Sequence, residues 1–460
     1  MYIKVKPFEM ISVLTYEGLQ QINEHGYVKI SGRIQRSQRE ANIHKAETET
    51  WVQVVVSDGQ ETEETLFYGI LTGLSIQPDI EGDIMELFLH TGSKKMDYVR
   101  HKRSFQRPGY SYKEIAECCI DGYRQAGMIM MEGKGCLVDG FTMQYEETDW
   151  EFLKRLASRL HTVLVPSCKV PGEKFFWGIA DKKGKGKLDT ENYVICQKNE
   201  KDIFLINEGY SRQTDNFYYL VESMETFELG DCIQFQGSLQ CIWRIETILK
   251  GNELWHTYYL KKKEAILVPQ IYQKEIIGLS LLGRIKGVRD EQVQVALDDD
   301  ENKDSGVNWF PFSTVYSSPD GAGWYCMPEP GDAVRLYFPT EDEADAYVTS
   351  AYQEDRGRDV RINPECKIWR NREGKEIRLT SDKVLITNNR GMSIELFDQQ
   401  GIRIQSNASI TVDADNDINI QSSCAGLELA ASGKIELRQG DTKMELSDGI
   451  RLSGATVKMQ

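Results

Sequence analysis

From about Glu376 to Gln460 apolar residues come in alternating pairs, and no other feature narrows the fold of this chain as much. The pairs are Ile377/Leu379, Val384/Ile386, Ile394/Leu396, Ile402/Ile404, Ile410/Val412, Ile418/Ile420, Leu427/Leu429, Ile435/Leu437, Met444/Leu446, Ile450/Leu452 and Val457/Met459. A period of two places both members on one face of a strand. Asn, Asp, Gly and Ser between the pairs predict a turn after every few residues. Short strands repeating at a near-constant spacing are the sequence signature of a β-helix or solenoid. Each pair supplies only two inward side chains, too few to fill a coil made by one chain. An apolar face that one chain cannot cover must be buried against something else. The segment is therefore read as an intertwined trimeric β-prism with a core shared on a threefold axis. The plainer alternative is a β-meander or sandwich, whose strands usually carry larger inner faces.

The 460 residues suffice for several domains. A net charge of −16 argues against a nucleic-acid partner and against adhesion to an anionic membrane. No apolar run approaches the roughly 18 residues of a membrane span. The start, Met1-Tyr2-Ile3-Lys4-Val5-Lys6-Pro7, lacks the apolar core of a signal peptide, so assembly in the cytoplasm is expected. Ten cysteines are scattered without a CxxC pair. Free, mostly buried thiols are expected, with Cys118, Cys119, Cys232 and Cys241 in apolar contexts, and no zinc.

Residues 1–100 read as strands of an antiparallel barrel: Tyr27–Gly32, Trp51–Val56, Leu66–Leu71 and Asp83–Leu89. Ser111 with Glu114, and Thr148 with Glu151, are capping boxes that open two helices. The first is predicted over Tyr112–Tyr123 with Ile115, Cys118 and Cys119 on one face. The second buries Phe152, Leu153, Leu156, Ala157 and Leu160, leaving Lys154, Arg155 and Arg159 as a solvated basic face. Strands at Lys174–Ile179, Tyr218–Val221, Cys232–Phe235 and Trp243–Glu246 predict a second barrel similar in strand content to the first. The Lys182–Lys187 run lacks the GxxxxGK[ST] pattern of a phosphate loop and is read as an exposed loop. From Leu281 to Tyr352 five short strands predict a small OB-type barrel. Its acidic segment Asp298-Asp299-Asp300-Glu301 lacks calcium-loop spacing and is read as a solvated hairpin tip.

Several of these stretches carry a family resemblance. Gly283-Arg284-Ile285, Val293-Gln294-Val295, Trp309-Phe310-Pro311, the run Gly321–Asp332 with Pro328, Gly331 and Asp332, and Tyr347–Tyr352 resemble the OB module of VgrG-type spikes of type VI secretion systems and contractile phage tails. The segment Gln144–Leu156 resembles the hub motif of that family through Gln144, Tyr145, Asp149, Phe152, Leu153 and Leu156. Phe67-Tyr68-Gly69-Ile70-Leu71 is similar to its early F-x-G-x-V strand. The resemblance implies a mainly β fold in five parts: hub β-barrel I over 1–100, a helical insertion over 101–165 and hub β-barrel II over 166–275. An OB-fold domain over 276–360 and a triple-stranded β-helix spike over 361–460 follow.

The resemblance also implies a role. It points to a homotrimeric hub-spike that adapts a sixfold tail tube to a threefold membrane-puncturing needle, assembled in the cytoplasm and carried in the injection particle. Implied partners are an Hcp-like tube protein, baseplate proteins, a PAAR-type tip protein docking at Val457, Lys458, Met459 and Gln460, and transiently a target membrane. The length, short for a VgrG, implies a compact injection system, phage tail or tailocin. Some related spikes bind iron through HxH at the tip, but the six histidines all precede the needle. No metal, cofactor or catalytic set is expected. The rival readings are a β-helix polysaccharide-acting enzyme and an adhesive tail fibre.

Overall fold

The computed structural model describes residues 2–46, 49–57, 63–180, 185–197, 217–303, 305–352 and 363–456. The chain divides into two compact units, Met1–Glu354 and Asp355–Gln460. Both are mainly β.

The first unit opens with β1 (Tyr2–Lys6), β2 (Ser12–Gln21), β3 (Glu24–Ile34), the short helix α1 (Arg39–Lys45), β4 (Trp51–Ser57), β5 (Glu63–Asp79) and β6 (Gly82–Thr91). Alternation explains the packing of this first lobe: Val28, Ile30, Val52, Val54, Leu87 and Leu89 point inward and are fully buried. Gly69 lies where β5 and β6 crowd. A Cβ there would meet the His90 carbonyl oxygen at 2.1 Å, so the glycine of the F-x-G-x-V stretch is a steric requirement.

Next come β7 (Arg100–Phe105), α2 (Tyr112–Ile120), β8 (Gly127–Met130), β9 (Thr142–Thr148), α3 (Asp149–Ser158), β10 (Leu164–Pro166) and β11 (Lys174–Trp177). Both capping boxes form, each with the hydroxyl and the glutamate bonded reciprocally to backbone N–H groups. Helix α2 stops at Ile120, short of the expected Tyr123, and buries Ile115, Ala116 and Cys119 while Cys118 faces solvent.

A second lobe follows with β12 (Tyr193–Gln197), β13 (Phe217–Ser223), β14 (Cys232–Phe235), β15 (Ser238–Lys250) and β16 (Glu253–Lys261). Its core holds Val221, Ile233, Phe235, Ile242, Tyr258 and Leu260. Strand β15 pairs with β2, so one eleven-stranded sheet runs through both lobes in the order β1-β4-β5-β6-β3-β2-β15-β16-β13-β12, with β14 on β15. Here the cysteine expectation fails. Cys232 and Cys241 stand opposite each other on β14 and β15 and form a disulfide. The other eight are free, but only Cys119 and Cys168 are buried. Of the lysine-rich loop, residues 181–184 lie outside the described residues, and Lys185 pairs with Asp231 at 2.8 Å.

His256 is buried in this second lobe and meets the Thr247 hydroxyl at 2.8 Å. Burial pushes its imidazole down to about 4. An unfolded imidazole takes its proton near 6.5, so between pH 6.5 and 4 the unfolded chain binds more protons than the folded one. Stability is therefore lost as the pH falls through that window, by about 3 kcal/mol from His256 once pH 4 is reached. Burial acts on His90 in the same direction, also to about 4. The thermal midpoint should drop between pH 6.5 and 4, and less so in His256→Gln. Equal profiles for the two proteins would refute the assignment.

The first unit ends in five strands, β17 (Ser280–Arg289), β18 (Gln292–Leu297), β19 (Trp309–Pro311), β20 (Ala333–Tyr337) and β21 (Tyr347–Tyr352). They pair in the order β19-β18-β17-β20-β21, and a parallel bridge between Phe312 and Val348 closes them into a small barrel. Ile285, Val293, Val295, Phe310, Val334, Leu336 and Val348 fill it.

The second unit contains two antiparallel meanders. One comprises β22 (Lys367–Arg370), β23 (Glu376–Leu379), β24 (Lys383–Thr387), β25 (Ser393–Phe397) and β26 (Gly401–Gln405), the other β27 (Ile435–Gln439), β28 (Thr442–Leu446) and β29 (Ile450–Ser453). The register sets apolar residues opposite one another in rows. Ile377, Ile386, Ile394 and Ile404 form one row, and Leu379, Val384, Leu396 and Ile402 its neighbour. The second meander repeats this with Leu437, Met444 and Leu452. Ile410/Val412, Ile418/Ile420 and Leu427/Leu429 belong to no strand of this chain. The final pair, Val457/Met459, lies outside the described residues.

Candidate functional site at the sheet and barrel junction

The hub motif forms a polar junction where the sheet, the helices and the five-stranded barrel meet. Thr148 caps α3 and its hydroxyl donates to the Asp97 carboxylate at 2.7 Å. Asp97 also pairs with His25 Nε2 at 2.8 Å, and His25 Nδ1 meets the Ser93 hydroxyl at 2.9 Å. Burial would raise the Asp97 carboxyl, but the bonds from His25 and Thr148 outweigh it and hold it well below the usual range. Ser93, His25 and Asp97 are the residue types of a hydrolase triad. Ser93, however, is fully buried, so in this structure its hydroxyl meets its own fold rather than a substrate. Trp150 completes the attachment, its ring 4.9 Å from that of His25 and its indole N–H donating to the Asn23 carbonyl at 3.1 Å.

Asp149, the first residue of α3, is buried and accepts from Arg103 at 2.6 Å, Tyr123 at 2.8 Å and Gln144 at 3.1 Å. Three donors converging on one carboxylate satisfy the charge that burial would otherwise disfavour. Gln144 also donates to the Glu147 carbonyl. Phe152 stacks on Phe105 with ring centres 5.7 Å apart, while Leu153 and Leu156 enter the same core. Tyr145 faces the barrel, where its carbonyl accepts from Gln273.

Arg155 departs from the expected solvated face. It is 2% exposed. Its guanidinium makes a bidentate pair with Glu147 at 2.8 and 2.7 Å, donates to the Met143 carbonyl at 2.7 Å and reaches Glu343 of the barrel at 2.6 Å. Arg159 adds a 2.8 Å bond to the other Glu343 oxygen. Burial tends to raise both carboxyls. Two guanidinium groups hold Glu343 below the usual range, whereas Glu147, with one, is pushed up. Lys154 remains on the outer side, partly exposed.

The acidic segment of the barrel makes the second half of the junction and corrects the hairpin-tip reading. Asp298 and Asp299 do face solvent. Asp300 instead accepts from the Ser104 N–H at 2.9 Å and from the Ser104 hydroxyl, and Glu301 accepts from the Lys102 N–H at 2.8 Å. The Glu301 N–H returns a bond to the Lys102 carbonyl at 2.9 Å. The segment thus latches the edge of β7. Buried Gln106 accepts from Gly306 N–H at 2.8 Å and donates to the Val295 carbonyl at 3.2 Å.

The OB-motif residues shape the barrel itself. A Cβ on Gly283 would lie 2.6 Å from the Ala296 carbonyl oxygen. Glu329–Asp332 is a turn closed by the Asp332 N–H on the Glu329 carbonyl, with Pro330 second and Gly331, at φ +96°, third. That order suits a turn that demands positive φ at its third position. Asp332 caps the same turn through the Glu329 N–H, and buried Pro328 precedes it. Trp309, on β19, is covered by Arg289 at 4.6 Å. Glu343 bonds the barrel to the hub stretch through Arg155, while Asp300 and Glu301 bond it to β7. Val457, Lys458, Met459 and Gln460 lie outside the described residues. Among the described residues no three His, Cys, Asp or Glu side chains are placed to hold a metal ion.

No protein-family model matches the sequence, and no curated protein matches it. Solved structures do. An Escherichia coli protein, c3393, described as a type VI secretion component with structural similarity to the T4 bacteriophage tail proteins gp27 and gp5, aligns at a TM-score of 0.55 and 14% identity. The alignment covers 76% of this chain and 100% of that one. A chain of the Francisella PdpA–VgrG complex aligns at 0.57 and 11% identity, covering 87% of each. The lidless form of that complex gives 0.55 and 10%, covering 85% of this chain and 93% of that one. At such identities the likeness is one of fold. This chain thus shares its fold with the type VI secretion component c3393 and with a chain of the PdpA–VgrG complex.

Proposed function

We propose that the chain is a structural hub-spike of a contractile injection system, working as a homotrimer. The exposed apolar rows of the second unit carry this reading. In the rows Ile402 is 71% and Ile404 60% exposed, and Val412 and Ile420, which lie outside the strands, are 73% and 70% exposed. A contiguous apolar surface of this kind marks an interaction face, and rows of this regularity fit two further copies of the same segment. Three copies winding together would form the β-prism needle, with Val457–Gln460 at its tip as the docking site of a PAAR-type protein. The likeness to VgrG supports the rest: the two lobes as hub β-barrels facing an Hcp-like tube and the baseplate, and a particle that reaches a target membrane after cytoplasmic assembly. The closed order of the five strands, with the third parallel to the fifth, supports the OB-fold reading. The five-part division given above is kept within this proposal.

In this role the chain does mechanical work. The junction ties the barrel to the sheet by buried charge pairs, so that a push on the hub reaches the barrel without hinge motion. The rows, once buried between copies, make the needle unfold only as a whole, which raises its kinetic barrier. The mass of the purified protein in solution tests the proposal. Three chains per particle are expected, with weaker association for a chain ending at Glu354. A monomeric full-length protein would overturn it.

A further inference from the structure

The connector between β19 and β20 is firmly built and yet uncovered. It folds back on itself, with the Trp324 N–H on the Tyr316 carbonyl and the Ser318 N–H on the Ala322 carbonyl, each at 2.8 Å. The Thr314 hydroxyl donates to the Trp324 carbonyl at 2.8 Å. Gly323 is a steric requirement of this path, since a Cβ there would lie 2.4 Å from the Tyr316 carbonyl oxygen. Two bonds fasten the connector to the barrel. The Ser313 N–H donates to the Val348 carbonyl at 2.7 Å, and the Tyr325 hydroxyl donates to the Asp290 carbonyl at 3.1 Å. On this fixed backbone Tyr316 and Trp324 are each 53% exposed and Tyr325 69%. With Phe312, Ser317 and Glu291 of the β17–β18 turn they line a cleft of about 400 Å³. That lies within the roughly 300–1,000 Å³ of ligand sites, which combine aromatic walls with a few polar groups.

The polar groups narrow the ligand. Tyr316 accepts from the Ser318 hydroxyl at 3.3 Å and keeps its own O–H to donate. Ser317 brings a second hydroxyl. Glu291 is the one charged residue of the lining, exposed and in no ion pair among the described residues. That carboxylate and the net charge of −16 disfavour a phosphate chain. A sugar presents hydroxyls that all donate as well as accept, and the cleft has a single carboxylate to receive them. A proline-rich segment fits better. Its polyproline II backbone makes no internal hydrogen bonds, so its carbonyls seek donors, and proline has no N–H to satisfy. Its rings dock against aromatic walls, and the segment is already extended, so little entropy is lost on binding. Glu291 adds a place for a cation.

We propose that this cleft docks a proline-rich, polyproline II segment of a partner protein. Its prolines lie against Tyr316, Trp324 and Tyr325, and a lysine or arginine of the segment lies beside Glu291. The segment belongs to another protein, because this chain has no Pro-Pro or Pro-x-x-Pro of its own. The site stands apart from the homotrimer reading and needs only the barrel.

Fluorescence anisotropy of the full-length protein with a labelled peptide, Arg-Pro-Leu-Pro-Pro-Leu-Pro, tests it. Micromolar binding is expected. Trp324→Ala should weaken it by about tenfold or more, the effect of losing a hot-spot aromatic, and Trp324→Phe by less. Glu291→Lys should weaken it too, and should bind the peptide with glutamate in place of arginine more tightly than the unsubstituted protein does. Misfolding cannot produce that reversal. Absence of binding at millimolar peptide overturns the proposal, as does binding that Trp324→Ala and Glu291→Lys leave unchanged. Tighter binding of cellotetraose than of the peptide overturns it in favour of a sugar site. A lower solution mass in Trp324→Ala, with no peptide bound by the unsubstituted protein, overturns it in favour of a contact between copies of this chain.

Discussion

Arg155→Ala is expected to destabilise the junction by about 3–5 kcal/mol, the cost of leaving a buried ion pair without one partner. Two carboxylates, Glu147 and Glu343, lose their shared guanidinium, and the Met143 carbonyl loses its donor. Arg159 still reaches Glu343 but not Glu147. The loss should be local first. Amide hydrogen exchange should quicken in the loop around Glu343 and in the start of α3, before global unfolding of the first unit. Restoring neutrality separates charge from packing: Arg155→Met with Glu147→Gln and Glu343→Gln should recover most of the loss, because apolar and neutral replacements of a buried ion group are often tolerated. A cost below about 1 kcal/mol for the single substitution, the range of a surface pair, would mean that the guanidinium is not buried in solution.

The second large effect is expected in the second unit, where the proposed trimer would have its shared core. Ile394 lies in the middle of its row, between Ile386 and Ile404. Ile394→Asp removes an apolar side chain worth about 1.5–3 kcal/mol when fully buried and would place an unpaired carboxylate in the shared core, once per copy. Trimer mass should be lost at concentrations where the unsubstituted protein is wholly associated. Arg403→Gln is the matched control, since Arg403 is exposed and stands opposite Glu395 on the other face of the same strands. Equal masses for the two variants would show that the Ile row is not the inner face.

Much of this arrangement is legible in the sequence because it is local. The capping boxes of Ser111/Glu114 and Thr148/Glu151 need only residues three apart, and both form. Strand alternation likewise places Val28 and Ile30 in the core. What sequence reading misses depends on distant partners. Arg155 follows the helical period of a solvated residue, and its burial is set by Glu343, 188 residues away. The Asp300 and Glu301 latch rests on β7, some 200 residues earlier. Cys232 and Cys241 are neighbours only through the hairpin register. In the second unit, alternation finds the pairs on β23 to β29. It also marks Ile410 to Leu429, which have no partner strand among the described residues.

The position of those rows along the chain also sets when they become a hazard. Synthesis proceeds at about 5–20 residues per second and domains fold as they emerge, N-terminal first. The first unit, Met1–Glu354, is thus made over roughly 20–70 s, before the apolar rows leave the ribosome. The apolar rows follow over a further roughly 5–20 s. By then the lobes and the barrel are closed and offer no half-formed core for the rows to invade. The surfaces still open to them are those of neighbouring nascent chains on the same message.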